Sequence, residues 1–254
     1  MPAPKKKWGQ NFLRNRGAVT RIVEAIEPEP GELVLEIGPG EGALTGDLIA
    51  KGYDLQAIEI DPELAAGLRV RFGAERITEG DALEIPLPER PFRAVGNLPY
   101  NVGTPILRRI IASPHVRRAV FMLQKEVADR LVAKPGSEPY GYLTLYTQLF
   151  ATARTLMTLD PGSFHPAPSV RSAVVILDPD PKPFASEALI ALISASFRMR
   201  RKQLVNNLTI EMTRGRVMSA IASAGLAETV RAEEMSLDDF ARLAHWLGPE
   251  ITSV

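Results

Sequence analysis

From Leu33 to Leu177 short apolar runs alternate with longer amphipathic stretches. Leu33–Ile37 (LVLEI), Leu55–Ile60 (LQAIEI), Arg93–Val95 ahead of GNLP, Ala119–Leu123 (AVFML) and Ala173–Leu177 (AVVIL) predict buried strands. Leu44–Lys51, Pro62–Phe72, Thr104–Ile111 and Tyr140–Phe150 predict helices. Strand and helix alternating at this spacing call for a parallel sheet with helices on both faces. The pattern changes at Asp178–Phe184, DPDPKPF, where three prolines in seven residues suit a linker and cannot continue a strand. Beyond it, Leu189, Leu192, Ile193, Ser196 and Phe197 fall at helical spacing within Ser186–Leu208, with Ser186 as the cap. Val217–Ala224 and Leu237–Leu247 predict two more helices. The expected organisation is an α/β domain over residues 1–180 and a small all-helical domain over 181–254.

Composition narrows the chemistry. The chain has 254 residues, 45% of them apolar and 24% charged, enough to bury a real core. The absence of cysteine excludes disulfides, a thiol nucleophile and any Cys-ligated metal. His115, His165 and His245 are isolated in sequence, so no metal site is expected. The basic run Lys5–Lys7 is followed by no apolar segment, and no stretch of 18 apolar residues occurs. A soluble, cytoplasmic protein with no membrane partner is expected.

Thirty bases cancel thirty acids, but unevenly along the chain. Residues 1–21 carry +6, residues 22–100 carry −10, residues 101–216 carry +8 and residues 217–254 carry −4. An acidic block thus lies between two basic zones.

The acidic block holds the first candidate site. The strand Leu33–Ile37 runs into Gly38-Pro39-Gly40-Glu41-Gly42, and glycines at a strand-to-helix turn let a ligand approach the backbone. Glu59 ends the next strand about 20 residues on, where an acid accepts hydrogen bonds from ribose hydroxyls. Asp81 follows at a third strand end, placed to accept from an adenine amino group. A Gly-rich turn, a ribose acid and an adenine acid in that order describe a nucleoside site. The spacing is G-x-G-x-G rather than the dinucleotide G-x-G-x-x-G, and Glu41 and Asp47 near the turn disfavour a pyrophosphate. A cationic sulfonium fits an acidic loop better, which favours S-adenosylmethionine over NAD.

The fourth strand ends in Gly96-Asn97-Leu98-Pro99-Tyr100. An exocyclic amine on a base is planar and weakly nucleophilic because its lone pair is delocalised into the ring. The Asn97 side-chain oxygen and the Leu98 carbonyl, held rigid by Pro99, can accept its two N–H bonds, and Tyr100 can stack on the base. Phe164, in the proline-stiffened loop Ser163–Val170, is a candidate second aromatic flank. His165 is expected to be solvated. Arg198, Arg200, Arg201 and Lys202 place four cations in five positions, and with Lys5, Lys6 and Lys7 they suit RNA phosphates. Arg108, Arg109, Arg117 and Arg118 form a further basic stretch after the Asn97–Tyr100 turn.

These motifs resemble the small-subunit ribosomal RNA adenine N6,N6-dimethyltransferases, a family related to the erythromycin-resistance large-subunit RNA methyltransferases. The likeness covers nearly the whole chain. It rests on Gly9–Leu13, Glu36–Gly42, Glu59–Asp61, Gly80–Ala82, Asn97–Tyr100, Leu123–Ala128, Phe164–Val170 and Arg200–Leu208. It implies a Rossmann-like methyltransferase domain with a basic N-terminal arm and a C-terminal helical domain that contacts rRNA. It also implies that Asn11, Leu13, Gly38, Glu59, Asp81 and Asn97 line the S-adenosylmethionine site, and that Tyr100 and Phe164 hold the target adenine. The implied substrate is a pair of adjacent adenosines near the 3′ end of small-subunit rRNA, within the immature 30S particle; nothing in the sequence calls for an obligate dimer, and a monomer is expected. A large-subunit rRNA target, or a catalytically silent RNA-binding assembly factor of the same fold, are the alternatives. Asn15, Gly103 and Ser169 depart mildly from the family pattern.

Overall fold

The computed structural model describes residues 5, 8, 10–100, 102–199 and 202–248. A two-residue strand β1 (Phe12–Leu13) leads to Asn15, whose side-chain oxygen accepts from the Ala18 N–H at 3.0 Å and starts α1 (Arg16–Ile26). This helix buries Ala18, Val19, Ile22, Val23 and Ile26 along one stripe. Next come β2 (Leu33–Ile37), α2 (Thr45–Ala50), β3 (Asp54–Glu59), α3 (Pro62–Phe72) and β4 (Ile77–Glu79). Asp61 caps α3 by accepting from the Glu63 N–H, and Pro62 occupies the first helical turn, where a missing N–H costs nothing. The chain continues through β5 (Phe92–Asn97), α4 (Gly103–Ile111), β6 (Val116–Gln124), α5 (Lys125–Leu131), α6 (Tyr142–Phe150), β7 (Ala151–Leu159), β8 (Phe164–His165) and β9 (Ser172–Pro179). It ends with α7 (Glu187–Ser196), α8 (Leu204–Leu208), α9 (Arg214–Ser223) and α10 (Leu237–Leu247). None of the helices among the described residues is long and apolar enough to cross a membrane.

The seven-stranded sheet has the order β4-β3-β2-β5-β6-β9-β7. Neighbours from β4 to β6 run parallel, whereas β9 is antiparallel to β6, so the expected parallel sheet carries a reversed side. Alternation along the strands divides the core. Val34, Leu55, Val95, Val120 and Val174 pack with α1 and with Leu48 of α2. Ala57 and Ile77 meet Ala65 and Leu68 of α3. From β2 the order runs one way to β3 and the other way to β5. The crevice at a sheet's carboxyl edge opens at such a point.

Gly96 reflects how closely β5 approaches β2. A Cβ added there would lie 2.4 Å from the Ile37 carbonyl oxygen. Gly96→Ala is expected to destabilise the protein by about 1–3 kcal/mol through this backbone clash. Urea denaturation with an unchanged midpoint and slope would refute the strain.

Two compact units result. The first runs to Ala128 and resumes at Thr152–Pro179; the second holds Asp129–Ala151 and Asp180–Val254. Residues 129–151, assigned by the proline boundary to the α/β domain, therefore belong with the helices. The physical reason is burial: Tyr140, Leu145 and Leu149 enter one apolar core with Leu192, Ile193, Leu208, Ile221 and Phe240. The Tyr140 hydroxyl donates to the Met235 carbonyl at 2.7 Å. The single helix expected over Ser186–Leu208 is also interrupted. α7 stops at Ser196, and the buried Asn207 accepts from the Met199 N–H (2.8 Å) and donates to the Met199 carbonyl (3.3 Å). Arg198 and Lys202 thereby lie outside the helices.

Candidate active site

A cavity lies at the carboxyl edge of β2, β3 and β5. Its walls are the strap Gln10–Leu13, the turn Gly38–Glu41, Glu59–Ile60 and the turn Asn97–Tyr100. The structure thus brings together Asn11, Leu13, Gly38, Glu59, Asn97, Leu98, Pro99 and Tyr100, drawn from four separate segments. Gly38 has φ +64°, and a Cβ there would meet nothing within 4 Å, so the turn leaves space for a ligand. Gly40 instead packs against the strap: its Cβ would lie 3.0 Å from Phe12.

Two carboxylates are buried in this wall. Glu59, 4% exposed, accepts from the backbone N–H groups of Gly40 and Asp61, each at 2.9 Å. Burial pushes its carboxyl above the usual range against the pull of those donors. Glu36 accepts from the Thr45 hydroxyl at 2.7 Å, and burial, with the like charge of Glu59, pushes its pKa up to about 8. Sequence reasoning gave Glu36 no role, although it opens the very motif that carries the glycines. Gln10 and Trp8 were likewise passed over; both line the cavity.

Asn97 is held by the strap. Its Nδ2 donates to the Asn11 carbonyl at 2.7 Å, which fixes the amide and leaves Oδ1 as its acceptor. The Leu98 N–H donates to the Met122 carbonyl (3.0 Å) and the Gly103 N–H to the Pro99 carbonyl (2.7 Å), so the turn is tied on both sides. Tyr100, partly buried, donates or accepts a 2.8 Å hydrogen bond with Ser172.

Other expected residues sit elsewhere. Asp81 lies beyond β4, outside the cavity wall, with its carboxylate accepting from the Leu83 N–H at 2.8 Å. Arg109 donates to the carbonyls of Ala82 (2.5 Å) and Ile85 (2.8 Å) and so fastens that turn. Phe164 is not among the residues that line this cavity. Its ring is 5% exposed within the apolar cluster of Leu13 and Val19, and its strand pairs antiparallel with β1.

The cations divide similarly. Lys5 contacts Asp61 and Glu63, each at 2.9 Å, instead of standing free as an RNA arm. Burial pushes Asp61 up, but hydrogen bonds from Lys5 and Gln10 outweigh it and hold the carboxyl below its ordinary range. Arg198 pairs with Glu211, and Lys202 is exposed. Lys6, Lys7, Arg200 and Arg201 lie outside the described residues. Arg118 binds Glu27 and Asp178, and Arg117 donates to the Pro114 carbonyl, so these two serve the protein's own backbone and acids.

A family model described as ribosomal RNA adenine dimethylase matches residues 2–248. The chain is 43% identical to ribosomal RNA small subunit methyltransferase A of Methylococcus capsulatus, across 97% of this chain and 98% of that one. Identity to the protein of the same name from Hahella chejuensis is 38%, across 96% and 92%. Among solved structures it is similar to the 23S rRNA methyltransferase ErmE, with TM-score 0.72 and 29% identity over 93% of this chain and 99% of that one. A dimethyladenosine transferase from Plasmodium falciparum superposes with TM-score 0.76 and 25% identity over 91% and 95%. With the crevice, its acids and the Asn-Leu-Pro-Tyr turn in place, the chain belongs to the ribosomal RNA adenine dimethylase family.

Proposed function

We propose that this enzyme transfers methyl groups from S-adenosylmethionine to N6 of two adjacent adenosines near the 3′ end of small-subunit rRNA. The product is N6,N6-dimethyladenosine, and the substrate is the immature 30S particle. The observation that carries the chemistry is the Asn97 amide, pinned through Nδ2 to the Asn11 carbonyl so that Oδ1 is its acceptor. The relatives' names, ribosomal RNA small subunit methyltransferase A, favour the small-subunit target over the large.

The cavity fits the cofactor by its chemistry. Glu41 and Glu59 suit a cation, Ile60 and Leu64 offer an apolar face to a nucleobase, and the open side of Gly38 admits a close approach. Glu59 keeps acceptor capacity for ribose hydroxyls beyond its two backbone donors. Asn11 and Leu13 form the strap side, while Asp81, whose turn lies outside the cavity wall, is assigned the cofactor's adenine by the sequence pattern and the family resemblance alone. S-adenosylmethionine supplies an electrophilic methyl on a sulfonium sulfur.

Asn97 Oδ1 and the Leu98 carbonyl accept the two N–H bonds of the target amine. Both bonds are thereby turned to one side, the nitrogen becomes pyramidal, and its lone pair is freed for in-line attack. Tyr100 stacks on the extruded base. Arg198, Arg200, Arg201 and Lys202, with Lys6 and Lys7, contact phosphates.

Incubation with labelled cofactor and unmethylated small subunits is expected to give labelled N6,N6-dimethyladenosine at two neighbouring positions. Label mapping to large-subunit rRNA would replace the substrate. Cofactor binding without any labelled rRNA would support a silent assembly factor.

A further inference from the structure

The antiparallel strand β9 has a consequence for the site. Strands β2, β3 and β5 deliver their last residues to the crevice, but a reversed strand delivers its first. Ser172 opens β9 and pairs with Gln124, the last residue of β6; Asn97 pairs with Met122 two positions earlier. Ser172 is 0% exposed, its strand is held by the β6 ladder, and the neighbouring Arg171 carbonyl accepts from the Lys125 N–H at 2.9 Å. Its hydroxyl lies 2.8 Å from the Tyr100 hydroxyl. The Tyr100 ring is therefore fixed at two points: its backbone follows Pro99 in the tied turn, and its far end is hydrogen-bonded to the sheet.

We propose that Ser172 is a positioning residue for the methyl-transfer reaction, holding the Tyr100 ring in the plane on which the target base stacks. This rests on the base-stacking role given above to Tyr100. A stacking platform loses value when it rotates, because the amine must stay aligned with Asn97 Oδ1 to within a fraction of an ångström. A phenylalanine at position 100 would stack as well but would be free at its outer end. The tyrosine hydroxyl is thus explained as an anchor. Burial pushes the Tyr100 phenol above its ordinary pKa, so it remains a neutral hydroxyl that can share a proton with Ser172 across the working pH range.

The test uses the full-length enzyme, unmethylated small-subunit rRNA particles, and an RNA fragment with 2-aminopurine at the target position. Ser172→Ala is expected to lower kcat roughly five- to tenfold, in line with loss of one orienting hydrogen bond. It should weaken the quenching of 2-aminopurine fluorescence while leaving cofactor affinity within twofold. Tyr100→Phe should reproduce both effects, and the double variant should be no worse than either single one. If Ser172→Ala fails to fold, Tyr100→Phe with the same readouts decides. Wild-type kcat and quenching in Ser172→Ala or Tyr100→Phe, or multiplicative losses in the double variant, would overturn the proposal. Tyr100→Ala separates the underlying reading: retained quenching there removes the stacking role itself, whereas collapse there with unaffected Ser172→Ala and Tyr100→Phe removes only the anchor.

Discussion

Asn97→Ala is expected to reduce kcat by about 10²–10³-fold while cofactor affinity changes by no more than a few fold. The size follows from the assigned work. One of two acceptors that orient the amine is lost, and the reaction has no strong base in this site to compensate. The specificity follows from the geometry, since Asn97 contacts the strap through Nδ2 and leaves the acids Glu36 and Glu59 untouched. Loss of that contact also removes one tie between β5 and the strap, so a modest loosening of the strap is expected alongside the catalytic defect. Single-turnover methylation at saturating cofactor, combined with calorimetric cofactor titration, reads the two effects apart. A variant with near wild-type turnover, or one whose whole defect is a lost cofactor affinity, would show that Asn97 is a cofactor ligand only.

The strands that could be read from sequence were those whose environment is uniform. β2 is buried at all five positions, and Leu33–Ile37 is apolar at every position except Glu36. α3 carries its own start signal in Asp61-Pro62. β7 gives no such signal, since Ala151–Leu159 mixes exposed and half-buried positions at one end of the sheet order. α1 carries its signal in Asn15 and the stripe Ala18–Ile26, but that stripe is interspersed with the basic residues Arg16 and Arg21 and lies outside the strand–helix alternation that begins at Leu33. The place of residues 129–151 could not be read, because helical periodicity shows that a face is apolar but not which core receives it. In the site, Gly38, Glu59 and Asn97 follow strand ends and were legible from that pattern. Asn11 and Leu13 came only from the family resemblance, as their contribution depends on a strap crossing to a strand more than 80 residues away.

The charge pattern has a more local meaning than its segments suggest. All four described bases of residues 1–21 are engaged within the protein: Lys5 with Asp61 and Glu63, Arg14 with Glu41, Arg16 with Asp47, and Arg21 with the Leu156 carbonyl. Three of the four pair with acids of the block 22–100. The basic start of the chain thus fastens the strap across the acidic cofactor crevice. Exposed pairs such as Arg16–Asp47 contribute little individually. Lys5–Asp61 differs because Asp61 is only 1% exposed and would be left as a buried charge without its partners.

The same crevice sets an expected pH dependence of stability. Glu36 has an ordinary pKa of 4.5 and about 8 in the folded protein, chiefly through burial. Between these values the folded state keeps a proton that the unfolded chain releases. The stabilisation is therefore full below pH 4.5 and is lost as pH rises through about 8, at roughly 1.4 kcal/mol per pH unit where only this group titrates. The accumulated loss is on the order of 5 kcal/mol, a large fraction of the stability of an ordinary domain. Glu59, also raised, adds to the slope in the same direction. Glu36→Gln keeps an oxygen to accept from Thr45 and has no proton to lose, so its stability should vary much less from pH 5 to 8. It should exceed the parent at pH 8 and match it more closely at pH 5. Urea denaturation of both proteins at half-unit pH steps measures this directly. Parallel curves would mean that Glu36 is already ionised at pH 5, and that water or a rearranged wall solvates a carboxylate which the fold otherwise buries completely.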